Sequence, residues 1–430
     1  MPPSASRTRR PPEMADTFTL HVDGSAGDAA RRKAALAHAR ALGWPQPRLE
    51  AWHFTNPAAL NKAGLVPADG TAKVSVPAAP FTGPRLVFVD GRFRPDASVT
   101  AGLPAGVMLL NLSDALARDA ALLAPHLDST GARALLALNA AYASDGLVLV
   151  VPAGVRLAMP VQVLHLGASA AAAHLRHVAI LGEGASASLF ETYAGPGAGW
   201  TNAATDVALA PGAALRHAVW QDEAAEAFHT GVARAQIEAG ASYSSFVLQT
   251  GARLARREID AILSGEGASC RLAGASLGRG KQHLDNTTVI EHAAAGCTSD
   301  EHYRGVFDDE SKGIFQGSIV VKPHAQKTSA HQLNENLLLS ERAEAHSKPE
   351  LEIHADDVKC GHGATAGELD EQALFYLRAR GIGRETARAM LIEAFVSALV
   401  DEVEDEAVRA ALSDGVSRWL AQAPAVARAA

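Results

Sequence analysis

The chain has 430 residues and 44.7 kDa, with 48% hydrophobic and 20% charged residues, a composition that excludes bulk disorder. Thirty-nine Lys and Arg against 47 Asp and Glu give a net charge of −8, which argues against a nucleic-acid surface. Three cysteines, at 270, 297 and 360, cannot staple a fold of this size, so a reducing cytoplasm is the expected setting.

The opening run MPPSASRTRRPPEM is basic but has no apolar segment, so it is no secretory signal. A disordered leader over about residues 1–14, or a start at Met14, is expected, with a transit peptide as the lesser alternative. Residues 28–43 predict a helix, with Asp28 as N-cap and Gly43 as the stop. A Pro-rich passage from Pro45 to Pro84 then prevents long regular structure. LVFVDGRF, around Asp90-Gly91, predicts a short hairpin, and residues 113–143 return to an Ala/Leu helical pattern. The first 145 residues are therefore expected to form a mostly helical domain with a few strands. The apolar stretch Gly146–Gly167 is broken by Pro152, Arg156, Pro160, Gln162 and His165, so no membrane span is expected.

The middle of the chain repeats. Gly-Ala-(Ser/Ala) recurs at Gly184, Gly212, Gly240 and Gly267, at intervals of 28, 28 and 27 residues. Gly154 lies 30 residues before this series and Gly296 lies 29 after it. Each turn is followed by an alternating segment, such as SASLFETY, ALRHAVWQ or SYSSFVLQ, with the period of a strand burying one face. A fixed period built on strands and tight turns predicts a solenoid, because one coil alone cannot bury its apolar face. We expect a parallel β-helix over 146–366 with a lumen of stacked aliphatic side chains; a β-sandwich with Gly turns is the alternative.

From Glu368 the pattern is helical again, in DEQALFYLRARG, RETARAMLIEAFVSALVDEV and EDEAVRAALSDGVSRWLA. The second carries an apolar stripe of Leu391, Ala394, Phe395, Ala398 and Leu399. These helices over 367–430 can cap the solenoid or bind a partner. Nucleotide motifs fail: in ASLGRGKQ, around Lys281, Ala275 replaces the first P-loop Gly and Gln282 the Ser/Thr that would hold magnesium. The chain is expected to have no nucleotide site of its own.

Histidines gather late in the chain: eight of 17 lie between His283 and His362. His283, His292, His302, His324, His331, His346 and His354 read singly as satisfied or solvated side chains. Cys270 reads as a small buried hydrophobe. Cys360-Gly361-His362 is sharper. On an extended strand residues i and i+2 share a face, so a thiolate and an imidazole would point together as donors for iron or zinc.

The stretch from Tyr303 to Ile382 resembles the SufB/SufD family of iron–sulfur cluster assembly proteins, and in particular its SufD-like branch. The resemblance is carried by ADDVKCGHGAT at Ala355–Thr365 and by LDEQALFYLRARGI directly after it. It implies a right-handed parallel β-helix between helical N- and C-terminal regions. It implies a non-enzymatic scaffold that pairs with SufB and binds the ATPase SufC through its C-terminal helices, with Phe375, Leu391, Phe395 and Leu399 as candidate contacts. It also implies a transient cluster or iron at the SufB interface, with His362 and then Cys360 as ligands, sulfur delivered by other proteins, and apoprotein acceptors. Gly361 departs from the family, where Ser is common. A self-dimer of the isolated chain stays open. Two rival readings are a purely structural β-helix partner and a polysaccharide lyase or hydrolase, the latter disfavoured by 5% aromatic content.

Overall fold

The structure is a computed structural model that describes residues 26–127 and 131–422; the leader expected at 1–14 lies outside them. Two helices, α1 (Ala26–Leu42) and α2 (Ala58–Ala63), come first. Helix α1 starts two residues before the expected cap, so Asp28 sits in its first turn, ion-paired with Arg31 and Arg32. The hairpin forms as β1 (Arg85–Val89) and β2 (Arg92–Phe93), with Asp90 and Gly91 at φ of 45° and 76° supplying the turn. Strand β3 (Met108–Asn111), α3 (Leu112–Leu123) and α4 (Ala134–Tyr142) complete the N-terminal part.

Eight coils follow, each contributing one strand to each of two parallel sheets. The first four are β4 (Leu147–Val151) with β5 (Val161–Leu166), β6 (Ala172–Leu181) with β7 (Ser186–Gly195), β8 (Trp200–Leu209) with β9 (Ala214–Glu223), and β10 (Phe228–Ile237) with β11 (Ser242–Gln249). The last four are β12 (Leu254–Leu263) with β13 (Ser269–Gly278), β14 (His283–His292) with β15 (Thr298–Phe307), β16 (Lys312–Val321) with β17 (Ser329–Leu338), and β18 (Glu344–Ile353) with β19 (Lys359–Gly367). One sheet runs β2-β1-β5-β7 and on through the odd strands to β19; the other runs β3-β4-β6 and on to β18. The parallel β-helix is confirmed.

The repeat has a physical cause. Gly184, Gly212, Gly240, Gly267 and Gly296 all adopt φ between 62° and 69°, which an L side chain resists. Each N–H donates to the carbonyl just before the matching turn of the next coil, as Gly212 does to Ala239 at 2.9 Å. The next residue in each turn, Ala185, Ala213, Ala241, Ala268 or Cys297, points into the lumen and is fully buried.

The lumen departs from the aliphatic filling expected. It is apolar at the turn end, with Leu181, Leu209, Ile237 and Leu263 stacked, but further along the strands it mixes aliphatic side chains with buried polar and charged ones. The Glu191 carboxylate accepts from the Tyr193 hydroxyl at 2.7 Å and lies 3.0 Å from His217 Nε2, while His217 Nδ1 lies 2.9 Å from Tyr243 Oη. Burial opposes the charge of Glu191, but the His217 ring holds its carboxyl well below the usual range. Arg257 is also fully buried there, and none of its guanidinium nitrogens has a hydrogen-bond partner among the described residues.

Helices α5 (Glu371–Ala379), α6 (Arg384–Val400) and α7 (Glu406–Ala421) close the chain, with Asp370 and Asp405 as side-chain caps of α5 and α7. They do not cap the solenoid end, as one expectation had it. Helices α6 and α7 lie on the outer face of the β5–β19 sheet, burying Val396, Leu412 and Trp419 against Trp220, Phe246 and Leu248. The N-terminal region covers the other sheet, with Trp44, Leu135 and Leu138 against Trp200, Phe228 and Leu254. The β4 end is closed by the reversed strands β2 and β3. Among the described residues the β18/β19 end is open.

Candidate functional site

Strand β19 is the last rung of its sheet, so only one of its edges is paired. Its register sets Cys360 beside Ala330 and His362 beside Gln332, both buried luminal residues of β17. Cys360 packs against the cluster of Ile319, Val321 and Ala330, which places the shared face of Cys360 and His362 on the luminal side. Cys360 is half-buried, and burial pushes its thiol up. His362 is exposed at the mouth. The geometry thus brings together the pair that the period-two spacing predicted.

Two donors do not make a closed metal site. Among the described residues no group of three or more His, Cys, Asp or Glu is placed to hold a metal ion. Most other late histidines have protein partners instead. His283 lies 2.8 Å from Thr55 Oγ1, His292 2.9 Å from Ser299 Oγ, and His302 2.8 Å from Glu335. His324 meets the Ala293 carbonyl, while His346 and His354 meet Glu344 and Glu352, each two residues earlier in the chain. His331 is exposed on the outer face of β17. Cys270 and Cys297 are buried, and burial pushes both thiols up, as suits structural cysteines.

The C-terminal residues separate. Phe375 on α5 is 74% exposed, and its neighbour Tyr376 is 57% exposed under the Arg380 guanidinium. Leu391 and Phe395 are half-buried, and Phe395 packs under Arg304 at 4.8 Å. Leu399, expected to meet a partner, is fully buried against the β-helix with Ile392, Val396 and Val400, whereas Ala394 and Ala398 of the expected stripe are exposed. Tyr376 and Met390, both exposed, are surface hydrophobics that the sequence reading did not single out.

No helix among the described residues is long and apolar enough to cross a membrane.

Comparison with known proteins agrees with this architecture. Residues 164–395 match the family description "SUF system FeS cluster assembly, SufBD core domain", and residues 73–163 match "SufBD protein N-terminal region". The chain is 32% identical to the iron–sulfur cluster assembly protein SufD of Escherichia coli, over 76% of each chain. It is 29% identical to an iron–sulfur cluster assembly SufBD family protein of Synechocystis over 90% of each, and 29% identical to SufD of Bacillus subtilis over 66% of each. The chain therefore belongs to the SufBD family of SUF-system iron–sulfur cluster assembly proteins, as a homologue of SufD.

Proposed function

We propose that this chain is a non-catalytic scaffold subunit of a SufBCD-type complex, pairing through its open end with a SufB-type chain. The observation that carries this is the contrast between its two edge strands. An unpaired edge exposes a row of backbone donors and acceptors, which proteins blunt with charge and proline unless it has a use. Strand β18 is blunted by Lys348, Pro349 and Glu350. From Cys360 to Gly367, β19 carries no formal charge and no proline. Such an edge accepts another strand, and that strand would lie directly over Cys360 and His362.

On this reading His362, with Cys360 beside it, contributes to holding iron or a nascent cluster as cargo, and the partner supplies the principal thiolates. A neutral imidazole suits transient ligation because iron and a proton compete for the same nitrogen lone pair. Phe375 and Tyr376 offer an aromatic anchor for a SufC-type ATPase, which would supply the nucleotide chemistry. The complex would work in the cytoplasm, receive sulfur from delivery proteins and pass clusters to acceptor apoproteins.

Ala364→Pro tests the pairing. The Lys359 N–H donates to the Thr328 carbonyl towards β17, so by strand alternation the Ala364 N–H faces outward. Proline there removes an outward donor and leaves the β17 ladder intact. Loss of the complex on co-expression with SufB- and SufC-type chains, with the single chain still folded, is the expected result. Unchanged assembly would refute the pairing.

A further inference from the structure

Beneath His362 the lumen holds two rungs of a different character from their surroundings. Register stacks Leu272, Glu301, Gln332 and His362 in one inward-facing column across β13, β15, β17 and β19, about 4.8 Å per rung. Glu301 and Gln332 are 1% and 2% exposed. Gln332 Nε2 donates to Glu301 Oε2 at 2.6 Å, and its carbonyl Oε1 is buried without a hydrogen-bond partner among the described residues. The Gln332 side chain reaches across to the opposite sheet, where a Cβ on Gly317 would lie 1.8 Å from Nε2, so the glycine makes the room this side chain occupies. Leu272 closes the column one rung below.

We infer that Glu301 and Gln332 form a positioning column that orients the His362 imidazole for iron, which rests on the ligand role proposed above. Glu301 fixes which way the Gln332 amide faces, because a carboxyl oxygen accepts the NH2 and leaves the carbonyl free to accept. That carbonyl accepts one ring N–H of His362 when the imidazole turns inward from the mouth, as covering by a partner strand would require. The other ring nitrogen then keeps its lone pair free for metal, in the arrangement that buried second partners impose on metal-binding histidines. Burial pushes the Glu301 carboxyl up to about 7, opposed by its polar neighbours Thr288 and Gln332; in either protonation state it retains an acceptor oxygen for the amide.

The test uses the full chain, labelled with ¹⁵N-histidine and assembled with its SufB-type partner, with the His362 resonances assigned by their loss in His362→Ala. Long-range ¹⁵N correlation reports the tautomer, and anaerobic titration with Co(II) reports metal affinity. Wild type should hold one His362 tautomer. Gln332→Met should give a mixture of both and weaken Co(II) binding by roughly 10- to 100-fold. Glu301→Gln retains Gln332 but frees its amide to face either way, and should blur the tautomer even if Gln332→Met fails to fold. An unchanged tautomer in a folded variant of either kind overturns the column. If the tautomer responds but His362→Ala leaves cluster content intact, the column stands and the ligand role falls. If cluster content needs His362 but its tautomer ignores Gln332 and Glu301, only the column falls.

Discussion

Leu399 and Phe375 separate the interior anchor of the C-terminal helices from the surface proposed for a partner, although both lie in apolar helical segments. Leu399 is fully buried among Ile392, Val396 and Val400 of α6, within the cluster that includes Phe246 and Ala273 of the β-helix. Leu399→Ala removes three carbons from a packed site and leaves a cavity between helix and sheet, which costs about 2–5 kcal/mol. Phe375 is 74% exposed, so Phe375→Ala should move stability by no more than about 0.5 kcal/mol. If Phe375 anchors a partner, its truncation should cost at least about 2 kcal/mol of association, roughly a 30-fold loss. Hydrogen exchange of α6 and α7 peptides reads the first effect, and calorimetric titration with a SufC-type ATPase reads the second. Leu399→Ala should speed exchange throughout α6 and α7; Phe375→Ala should leave exchange unchanged and weaken ATPase binding. Unchanged exchange in Leu399→Ala would refute the interior assignment, and unchanged affinity in Phe375→Ala would refute the partner surface.

Two further outcomes follow from the packing and the buried charges. Gly415→Ala would add about 1 kcal/mol of helix propensity at an exposed site, but here the new Cβ would sit 2.9 Å from Trp220 ring atoms whose indole N–H is tied to Thr250. Overpacking at about 1–3 kcal/mol outweighs the propensity, so the urea midpoint should fall; a rise would mean that α7 stands off the sheet. Burial holds His174, His177 and His292 neutral, with pKa values of about 3, 4 and 4 against 6.5. The unfolded chain protonates all three first, so stability should be lost as pH falls from about 6.5 towards 4, by up to about 1.4 kcal/mol per pH unit for each ring. Glu301 runs the other way, because its raised pKa lets the folded chain hold a proton between about 4.5 and 7, but three rings outweigh one carboxyl. A urea midpoint that stays flat from pH 6.5 to 4 would contradict this balance.

The solenoid was legible because its turns ask two things of adjacent residues: a left-handed backbone and a small inward side chain. Gly-Ala meets both, which is why the period shows at Gly184, Gly212, Gly240 and Gly267. The signal fades after Gly296 although the coils continue. Lys327 takes the left-handed place at φ 61° and Thr328 the buried one, so the geometry persists without the letters. Alternation marked which residues face inward but not what the interior contains. Glu191 and His217 sit at ordinary inward positions, and only cross-strand register brings them 3.0 Å apart. Cys360 and His362 were legible as a pair because period two is local. The column beneath them was not, because Glu301, Gln332 and His362 are each about one coil apart in sequence. The stripe expected on α6 shares only Leu399 with the buried face, Ile392, Val396, Leu399 and Val400, because an apolar helix offers more than one such face and periodicity does not encode which one meets the sheet.

The most direct measurement is the iron and sulfide content of the purified, reconstituted complex carrying His362→Ala beside wild type, normalised to intact complex. The exposed His362 contributes nothing to the buried core, so its loss should leave melting and assembly unchanged. Intact complex with sharply reduced iron and sulfide is expected, with a milder loss in Cys360→Ser. Equal cluster content per intact complex would contradict the ligand role of His362 and leave this chain a purely structural partner.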